Sequence, residues 1–81
     1  MTNVKTSENV ERILDKIDKT LKIQLDKAVD KILANPEVGK PMMYERKGTR
    51  ELYVGSFRLS YSYDKGSDML YLLDFYHKDK Q

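Results

Sequence analysis

The hydrophobic residues change their spacing near residue 50, and this change constrains the fold more than any other feature of the chain. Before that point apolar residues recur every three or four positions, which is the period of one face of an α-helix. After it they alternate with polar residues, which is the period of a β-strand with one buried face. Helices followed by strands predict the α+β class, in which helices pack on an antiparallel sheet.

The first half of the chain predicts two short helices. Ser7 is a good N-cap, and the apolar residues after it line one face of a helix over residues 7–17. A second apolar stripe covers residues 20–34 and ends before Pro36, because the residue that precedes a proline is disfavoured in a helix. Since only a few residues connect them, we expect the helices to form an antiparallel hairpin.

The second half predicts three strands, at residues 51–54, 57–63 and 68–77. Gly55-Ser56 is a two-residue turn of the type that joins two strands in a hairpin. The last strand is apolar on both faces in its first half, as is typical of a central strand. We therefore expect a helical hairpin packed on a twisted antiparallel sheet of three to four strands, in one domain spanning residues 1–81.

The composition excludes several functional classes. With no cysteine and one histidine, the chain predicts no disulfide and no metal site, and it carries no phosphate-loop or dinucleotide motif that would indicate a cofactor. Its longest apolar run, residues 69–73, is far shorter than the roughly 20 residues that span a bilayer. The first residues do not resemble a signal peptide. We expect a cytoplasmic protein with no membrane partner.

Positive charge is concentrated in the middle of the chain. The formal net charge is only +2, and residues 1–39 carry seven basic and seven acidic side chains. Residues 40–58 carry five basic side chains against two acidic ones, and Lys78 and Lys80 can join this excess in space. The distribution is compatible with an ordinary solvated surface or with a surface that binds phosphate groups.

Side chains near the end of the predicted sheet are candidates for phosphodiester chemistry. Arg58 lies on the polar face of the middle strand, where a guanidinium can bind phosphate or pair with an acidic neighbour across the sheet. His77 ends the last strand beside Lys78, and an imidazole there can act as a general acid or base or be a plain surface residue. Tyr76 offers a face for base stacking, or simply forms part of the strand.

Two motifs and a basic C-terminal segment occur in a fixed order along the chain. Residues 35–41 read N-P-E-V-G-K-P, residues 47–61 read K-G-T-R-E-L-Y-V-G-S-F-R-L-S-Y, and residues 77–80 read H-K-D-K. This order resembles the RelE/ParE superfamily of bacterial and archaeal toxin–antitoxin modules. Its members typically carry N-P-x-x-G-K-P, then K-G-x-x-E-L-R-V-G-x-Y-R-h-x-Y with h apolar, then a basic triplet after the last strand.

The resemblance implies a toxin that cleaves mRNA on the ribosome without a metal ion or, in the ParE branch, inhibits DNA gyrase. It also implies a cognate antitoxin that silences the toxin in a hetero-oligomer. By its place in the motif, Arg58 corresponds to the arginine that binds the scissile phosphate. His77 and Lys78 correspond to the terminal residues that supply acid–base function or charge.

The resemblance further implies contacts to the RNA backbone from Lys47 and Arg50, and we expect Lys80 and the ring of Tyr76 to contact the RNA as well. We expect the catalytic candidates Arg58, His77 and Lys78 to reach one phosphate on the open side of the sheet, with Arg50 or Lys47 at its rim. Opposite faces for the Arg58 guanidinium and the His77 ring would contradict this shared site and the catalytic interpretation that depends on it.

A second function, of a different class, remains open at this point. The chain can instead be a non-catalytic binding protein, either a ParE-like gyrase inhibitor or an inactive relative that mainly binds an antitoxin. Two features favour this alternative: the tyrosine that often follows the basic cluster is absent, and the net charge is modest. In addition, Lys78 replaces the arginine that is usual in the family and lacks its two-pronged set of donors.

Overall fold

The computed structural model describes residues 2–80, without the side chain of Lys80. Within that range the elements are β1 (Asn3–Thr6), α1 (Glu8–Leu14), α2 (Lys19–Ala34), β2 (Lys40–Pro41), β3 (Arg50–Val54), β4 (Phe57–Asp64) and β5 (Met69–His77). Short 3₁₀ turns occupy Tyr44–Arg46 and Lys78–Lys80. Neither helix in this range has the length and apolar character needed to cross a lipid bilayer.

The strands form one sheet in the order β1-β5-β4-β3-β2. β1 runs parallel to β5, and the other neighbouring strands are antiparallel. The α+β class, with two helices packed on a sheet, is confirmed. The described sheet has five strands where the sequence predicts three to four, because β1 is short and mostly exposed and β2 has two residues, so neither shows an alternating pattern.

Both helices begin at residues that cap them. The side chains of Ser7 and Asp18 each accept a hydrogen bond from the backbone N–H three residues further on. α1 ends at Leu14, three residues before its predicted end, where Asp15 forms the C-cap. α2 extends almost as predicted and ends directly before the Asn-Pro pair.

The two helices cover one side of the sheet, which we call the helix face, and we call the opposite side the open face. The buried apolar side chains of the core lie between the helices and the helix face: Val10, Leu25, Ala28, Ile32, Val54, Leu59, Tyr61, Leu70, Leu72 and Phe75. α1 packs mainly on β5 and α2 mainly on β3. The core therefore ties both helices to the three longest strands.

A β-bulge determines which residues of β5 reach each face. Ser60 of β4 pairs with Asp74, but the next residue, Tyr61, pairs with Leu72. Leu73 is therefore an extra residue on β5. Because side chains alternate between faces, the even-numbered residues before the bulge and the odd-numbered residues after it face the helices.

The buried phenol of Tyr61 holds the loop that follows α2. Its hydroxyl donates to the Pro36 carbonyl at 2.7 Å and accepts a hydrogen bond from the Gly39 N–H at 2.9 Å. A Cβ atom at Gly39 would lie 2.7 Å from the phenol oxygen, so this approach requires glycine. Burial raises the pKa of Tyr61, so the hydroxyl remains a donor at neutral pH.

Replacing Tyr61 with phenylalanine should lower the free energy of unfolding by about 1–3 kcal/mol, because the buried Gly39 N–H would lose its acceptor. Urea unfolding followed by circular dichroism measures the change. Tyr53→Phe is the matched control: Tyr53 is 61% exposed, and its loss of a hydroxyl should change stability by less than about 0.5 kcal/mol. Equal stability of Tyr61→Phe and the wild type would show that this hydroxyl does not hold the loop.

Candidate functional site on the open face

Arg58 lies on the open face in a row of three paired residues. It stands opposite Tyr53 of β3 on one side and Tyr76 of β5 on the other. Its guanidinium carbon lies 3.7 Å from the centre of the Tyr53 ring, and its Nη1 donates to the Phe57 carbonyl at 3.0 Å. The cation–π contact and this hydrogen bond hold the guanidinium in a defined position on the open face.

A second guanidinium reaches the open face from the connection between β2 and β3. Nη2 of Arg46 lies 3.3 Å from Oε2 of Glu51, and it donates to Oγ of Ser60 and to the hydroxyl of Tyr76, each at 3.4 Å. The hydrogen bond with Tyr76 raises the pKa of Arg46, and the charge of Glu51 acts in the same direction against the effect of burial. Arg46 therefore remains a cation.

Glu51 is a nearly buried carboxylate on the open face. It is 5% exposed and stands opposite Ser60. Its Oε2 accepts hydrogen bonds from the Tyr76 hydroxyl and from Arg46. A charge with so little exposure is costly unless it is paired and hydrogen-bonded, and both conditions are met here. We call this cluster the Arg46–Glu51–Tyr76 network.

An open groove of about 520 Å³ lies beside the network. Its walls include Arg46, Ser60, Asp74 and Tyr76. They therefore come from the connection before β3 and from strands β4 and β5. A groove of this size with charged and hydroxyl-bearing walls suits a polar ligand such as a nucleotide.

His77 lies on the helix face. It pairs with Phe57, and the two rings meet edge to face with centres 5.3 Å apart. Phe57 in turn stacks on the buried Phe75, whereas Arg58 projects to the open face. The prediction that Arg58 and His77 meet at one phosphate is therefore wrong, and the catalytic interpretation loses the pairing on which it depended. The cause is the bulge at Leu73, which exchanges the faces of the last residues of β5.

The predicted catalytic lysine, Lys78, and the two lysines predicted to bind RNA, Lys47 and Lys80, lie at different places in the fold. Lys78 begins the turn after β5, and its backbone N–H donates to the Ser56 carbonyl at 2.9 Å, which puts it at the same end of the sheet as Arg58. Lys47 is exposed in the connection before β3. Lys80 ends the last turn, and its side chain lies outside the described residues. Contacts from these lysines to RNA stay predictions.

Arg50 holds a loop and does not face the open side. It stands opposite Tyr61, on the helix face, and its Nη1 donates to the carbonyls of Gly39 at 2.8 Å and Glu37 at 3.2 Å. Of the two residues predicted for the rim of an open-face site, Arg50 or Lys47, Arg50 does not lie there. Its guanidinium is occupied by backbone carbonyls of the loop after α2.

Two members of the network are not identified as candidates by the sequence analysis. The two-residue turn at Gly55-Ser56 already implies that Glu51 stands opposite Ser60, so its place on the open face could have been found from the hairpin register. Arg46 carries no comparable signal, because it lies in a connection without periodicity and reaches the sheet through a 3₁₀ turn.

Residues 4–80 match the family model described as ParE-like toxin of type II bacterial toxin-antitoxin system. The chain belongs to this family. The resemblance to the RelE/ParE superfamily is thereby confirmed, over nearly the whole length of the sequence. No curated protein sequence matches the chain.

Solved structures show the same fold. The RelBE2 toxin–antitoxin complex from Mycobacterium tuberculosis contains a chain with 27% identity and a TM-score of 0.80, over 94% of this chain and 96% of that one. The intact RelBE complex from E. coli gives 15% identity and a TM-score of 0.81, over 95% and 96%. The archaeal RelE–RelB complex from Pyrococcus horikoshii contains a chain with 17% identity and a TM-score of 0.78, over 99% of this chain and 98% of that one.

Replacing Arg50 with alanine should lower the free energy of unfolding by about 1–2 kcal/mol, because two carbonyls of the loop after α2 lose a charged donor. Lys47→Ala removes a charge from the same part of the chain at an exposed position and should change stability by less than about 0.5 kcal/mol. Urea midpoints of the two variants test this difference. Equal midpoints would assign Arg50 no structural role.

Proposed function

We propose that this toxin cleaves mRNA on the ribosome, with the open face as its substrate-binding surface. The observation that carries the proposal is the position of Arg58, whose guanidinium is fixed on Tyr53 on the open face. Guanidinium groups bind phosphate through a planar set of donors, and fixed donors stabilise the charge that develops when a phosphodiester is attacked.

The surroundings of Arg58 suit single-stranded RNA. Tyr53 and Tyr76 flank it in the same row, and both can present aromatic surface to a base. The groove beside Tyr76 offers space for a nucleotide next to the phosphate. Lys78 at the same end of the sheet, and Lys47 in the connection before β3, add positive charge along the RNA backbone.

The reaction we propose involves groups of the RNA and of the protein together with solvent water. The 2′-hydroxyl loses its proton to water and its oxygen attacks the adjacent phosphorus, the bond to the 5′-oxygen breaks, and the 5′-oxygen takes a proton from water. The products are a 2′,3′-cyclic phosphate and a free 5′-hydroxyl. In this scheme Arg58 stabilises the negative charge of the pentavalent phosphorus. His77 has no part in it, because its ring packs on Phe57 at the helix face.

We further propose that an antitoxin protein binds and silences this toxin in the cytoplasm. The support is the family and also the similar structures, of which those from Mycobacterium tuberculosis and E. coli are toxin–antitoxin complexes and that from Pyrococcus horikoshii is a RelE–RelB complex.

One observation favours a second function, that of a non-catalytic toxin that binds gyrase or mainly an antitoxin. The single histidine of the chain is directed to the helix face, so the imidazole that the superfamily resemblance suggested as acid or base is not beside Arg58. A protein of this kind would bind its target through the same charged face and leave RNA intact.

Replacing Arg58 with alanine should reduce cleavage of mRNA on programmed ribosomes by about 10²–10³-fold, because a fixed donor at the developing charge is lost. Single-turnover assays with purified protein measure the rate, and relief of growth arrest in a bacterial host gives the cellular readout. Arg12→Ala is the matched control, since Arg12 is an exposed arginine on α1 and should leave the rate unchanged.

Two results would overturn the proposal. If the wild type binds programmed ribosomes without cutting mRNA, the non-catalytic function stands in its place. If Arg58→Ala cuts at the wild-type rate, the open face is not where the phosphate binds.

A further inference from the structure

Tyr44 is a bulky residue in a backbone conformation that bulky residues disfavour. Its φ of 60° lies in the left-handed region, where glycine is favoured and a side chain with a ring is not. Within residues 2–80 the other non-glycine residue of this kind is Asp68, whose carboxylate accepts hydrogen bonds from Thr2 and Tyr63 and so holds its turn. The conformation of Tyr44 needs a different explanation.

Packing of the fold does not explain why a tyrosine occupies this position. Tyr44 is 88% exposed, and within the described part of the chain its side chain makes no hydrogen bond and no ring contact. Met43, the residue before it, is 70% exposed. A ring that projects into solvent contributes nothing to the hydrophobic core, so its benefit must lie in a contact with another molecule.

Hydrogen bonds within the loop hold Tyr44 in place. The Lys47 N–H donates to the Tyr44 carbonyl at 3.0 Å, and the Arg46 N–H donates to the Met43 carbonyl at 3.3 Å. The Arg46 carbonyl in turn accepts hydrogen bonds from the N–H and the hydroxyl of Thr49, at 3.1 and 2.7 Å. The ring is therefore presented from a defined backbone position.

We propose that Tyr44 is a binding residue on which a base of the mRNA stacks, close to the phosphate that Arg58 binds. The inference rests on the proposed cleavage of mRNA and deepens it by naming a residue that holds a substrate base. An exposed ring can stack on any of the four bases, because each base has an aromatic face. The contact adds affinity and takes no part in the chemistry.

Contacts on the open face connect Tyr44 to the position of Arg58. Arg58 stands opposite Tyr76 in the sheet, and the Tyr76 hydroxyl accepts hydrogen bonds from Arg46. Arg46 follows Tyr44 by two residues, so their α-carbons are at most about 7.6 Å apart. Glu45 and Arg46 both line the groove beside Tyr76. An RNA strand with one phosphate on Arg58 and the next nucleotide in the groove therefore passes beside Tyr44.

The charge around Tyr44 favours RNA over a protein as its partner. Residues 40–50 carry four basic side chains and one acidic one. Of these, Arg46 reaches the open face and Lys47 is exposed. An aromatic ring beside cations is the arrangement that binds single-stranded nucleic acid, with the ring on a base and the cations on the backbone. A hydrophobic protein surface would have to desolvate these charges, which is costly.

The test compares Tyr44→Gly with Tyr44→Phe in binding to ribosomes programmed with 2′-deoxy mRNA, which cannot be cut. Tyr44→Gly should weaken binding by about 5- to 150-fold, the range that corresponds to the loss of one base–aromatic stack. Tyr44→Phe keeps the ring and should bind within about threefold of the wild type. Ile23→Ala removes an exposed apolar side chain from α2, is the matched control and should bind like the wild type.

Urea unfolding excludes a structural cause of the binding defect. Tyr44→Gly should keep the urea midpoint of the wild type, because glycine adopts the positive φ without strain and the lost ring is not part of the core. A variant that failed to fold, or that lost affinity and urea midpoint together, would give Tyr44 a structural role and overturn the inference.

An mRNA with one abasic nucleotide identifies the partner of the ring. The abasic nucleotide is placed in turn at each position of the codon that is cut. Where the missing base is the one that stacks on Tyr44, wild-type binding should weaken about as much as in Tyr44→Gly, and the two changes together should cause little further loss. If Tyr44→Gly weakens binding equally on intact and abasic mRNA at every position, the ring contacts ribosomal RNA or a protein, and the inference is overturned.

Cleavage of ordinary mRNA separates this inference from the proposed function. With the toxin at saturation, Tyr44→Gly should cut programmed ribosomes' mRNA at a rate within about threefold of the wild type, because the stack adds binding and not chemistry. A large loss of rate at saturation would contradict this role. A wild type that shows the coupling to one base but cuts no mRNA removes the proposed cleavage and leaves the stacking site. Cleavage without the coupling removes the stacking site alone.

Discussion

The register of β4 against β5 determines what each face of this molecule presents. Before the bulge at Leu73, the even-numbered residues of β5 face the helices, and after it the odd-numbered residues do so. Strict alternation from Leu72 would carry Tyr76 to the helix face and His77 to the open face. One extra residue therefore decides that Arg58 has a tyrosine as its neighbour across the strand pair and not an imidazole.

Packing in the core accounts for the bulge. Phe75 is 1% exposed and stacks on Phe57 with ring centres 5.0 Å apart. If β5 alternated strictly from Leu72 through Leu73, Asp74 would face the core, and burying an unpaired carboxylate there would cost several kcal/mol. The same hydrophobic energy that buries Phe75 thus directs Tyr76 towards Glu51. Stability of the core and geometry of the open face are set by one feature.

Much of the fold could be predicted because it follows from local patterns. The change from a helical to a strand period near residue 50 gives both helices and the three long strands, and the turn at Gly55-Ser56 gives the register of β3 against β4. β1 and β2 could not be predicted, because four mostly exposed residues and a two-residue bridge have no periodic signature. The bulge could not be predicted for a related reason. The first half of β5 is apolar at every position, so the sequence does not show which of its residues face the helices.

The candidate site could be predicted only where a strand position fixes it. Arg58 lies on the polar face, as the alternation of β4 indicates, because successive side chains of a strand point to opposite faces of the sheet. Positive charge alone did not identify the binding residues. Arg50 lies in a basic segment, but its guanidinium donates to the carbonyls of Glu37 and Gly39 and so has a structural role. Arg46, in contrast, does reach the open face, although it lies in a connection without a periodic pattern and was not a candidate.

The two arginines of the open face are held in different ways, and this difference gives them different roles. Arg58 is held by the ring of Tyr53 and a backbone carbonyl, neither of which carries a net charge, so its positive charge is available to an approaching phosphate. Arg46 is neutralised by Glu51 at 3.3 Å. Its charge is therefore largely compensated inside the protein, and an approaching phosphate meets Arg58 as the stronger electrostatic partner. A donor that is held in place before the substrate binds can stabilise the charge of the transition state without having to reorganise first.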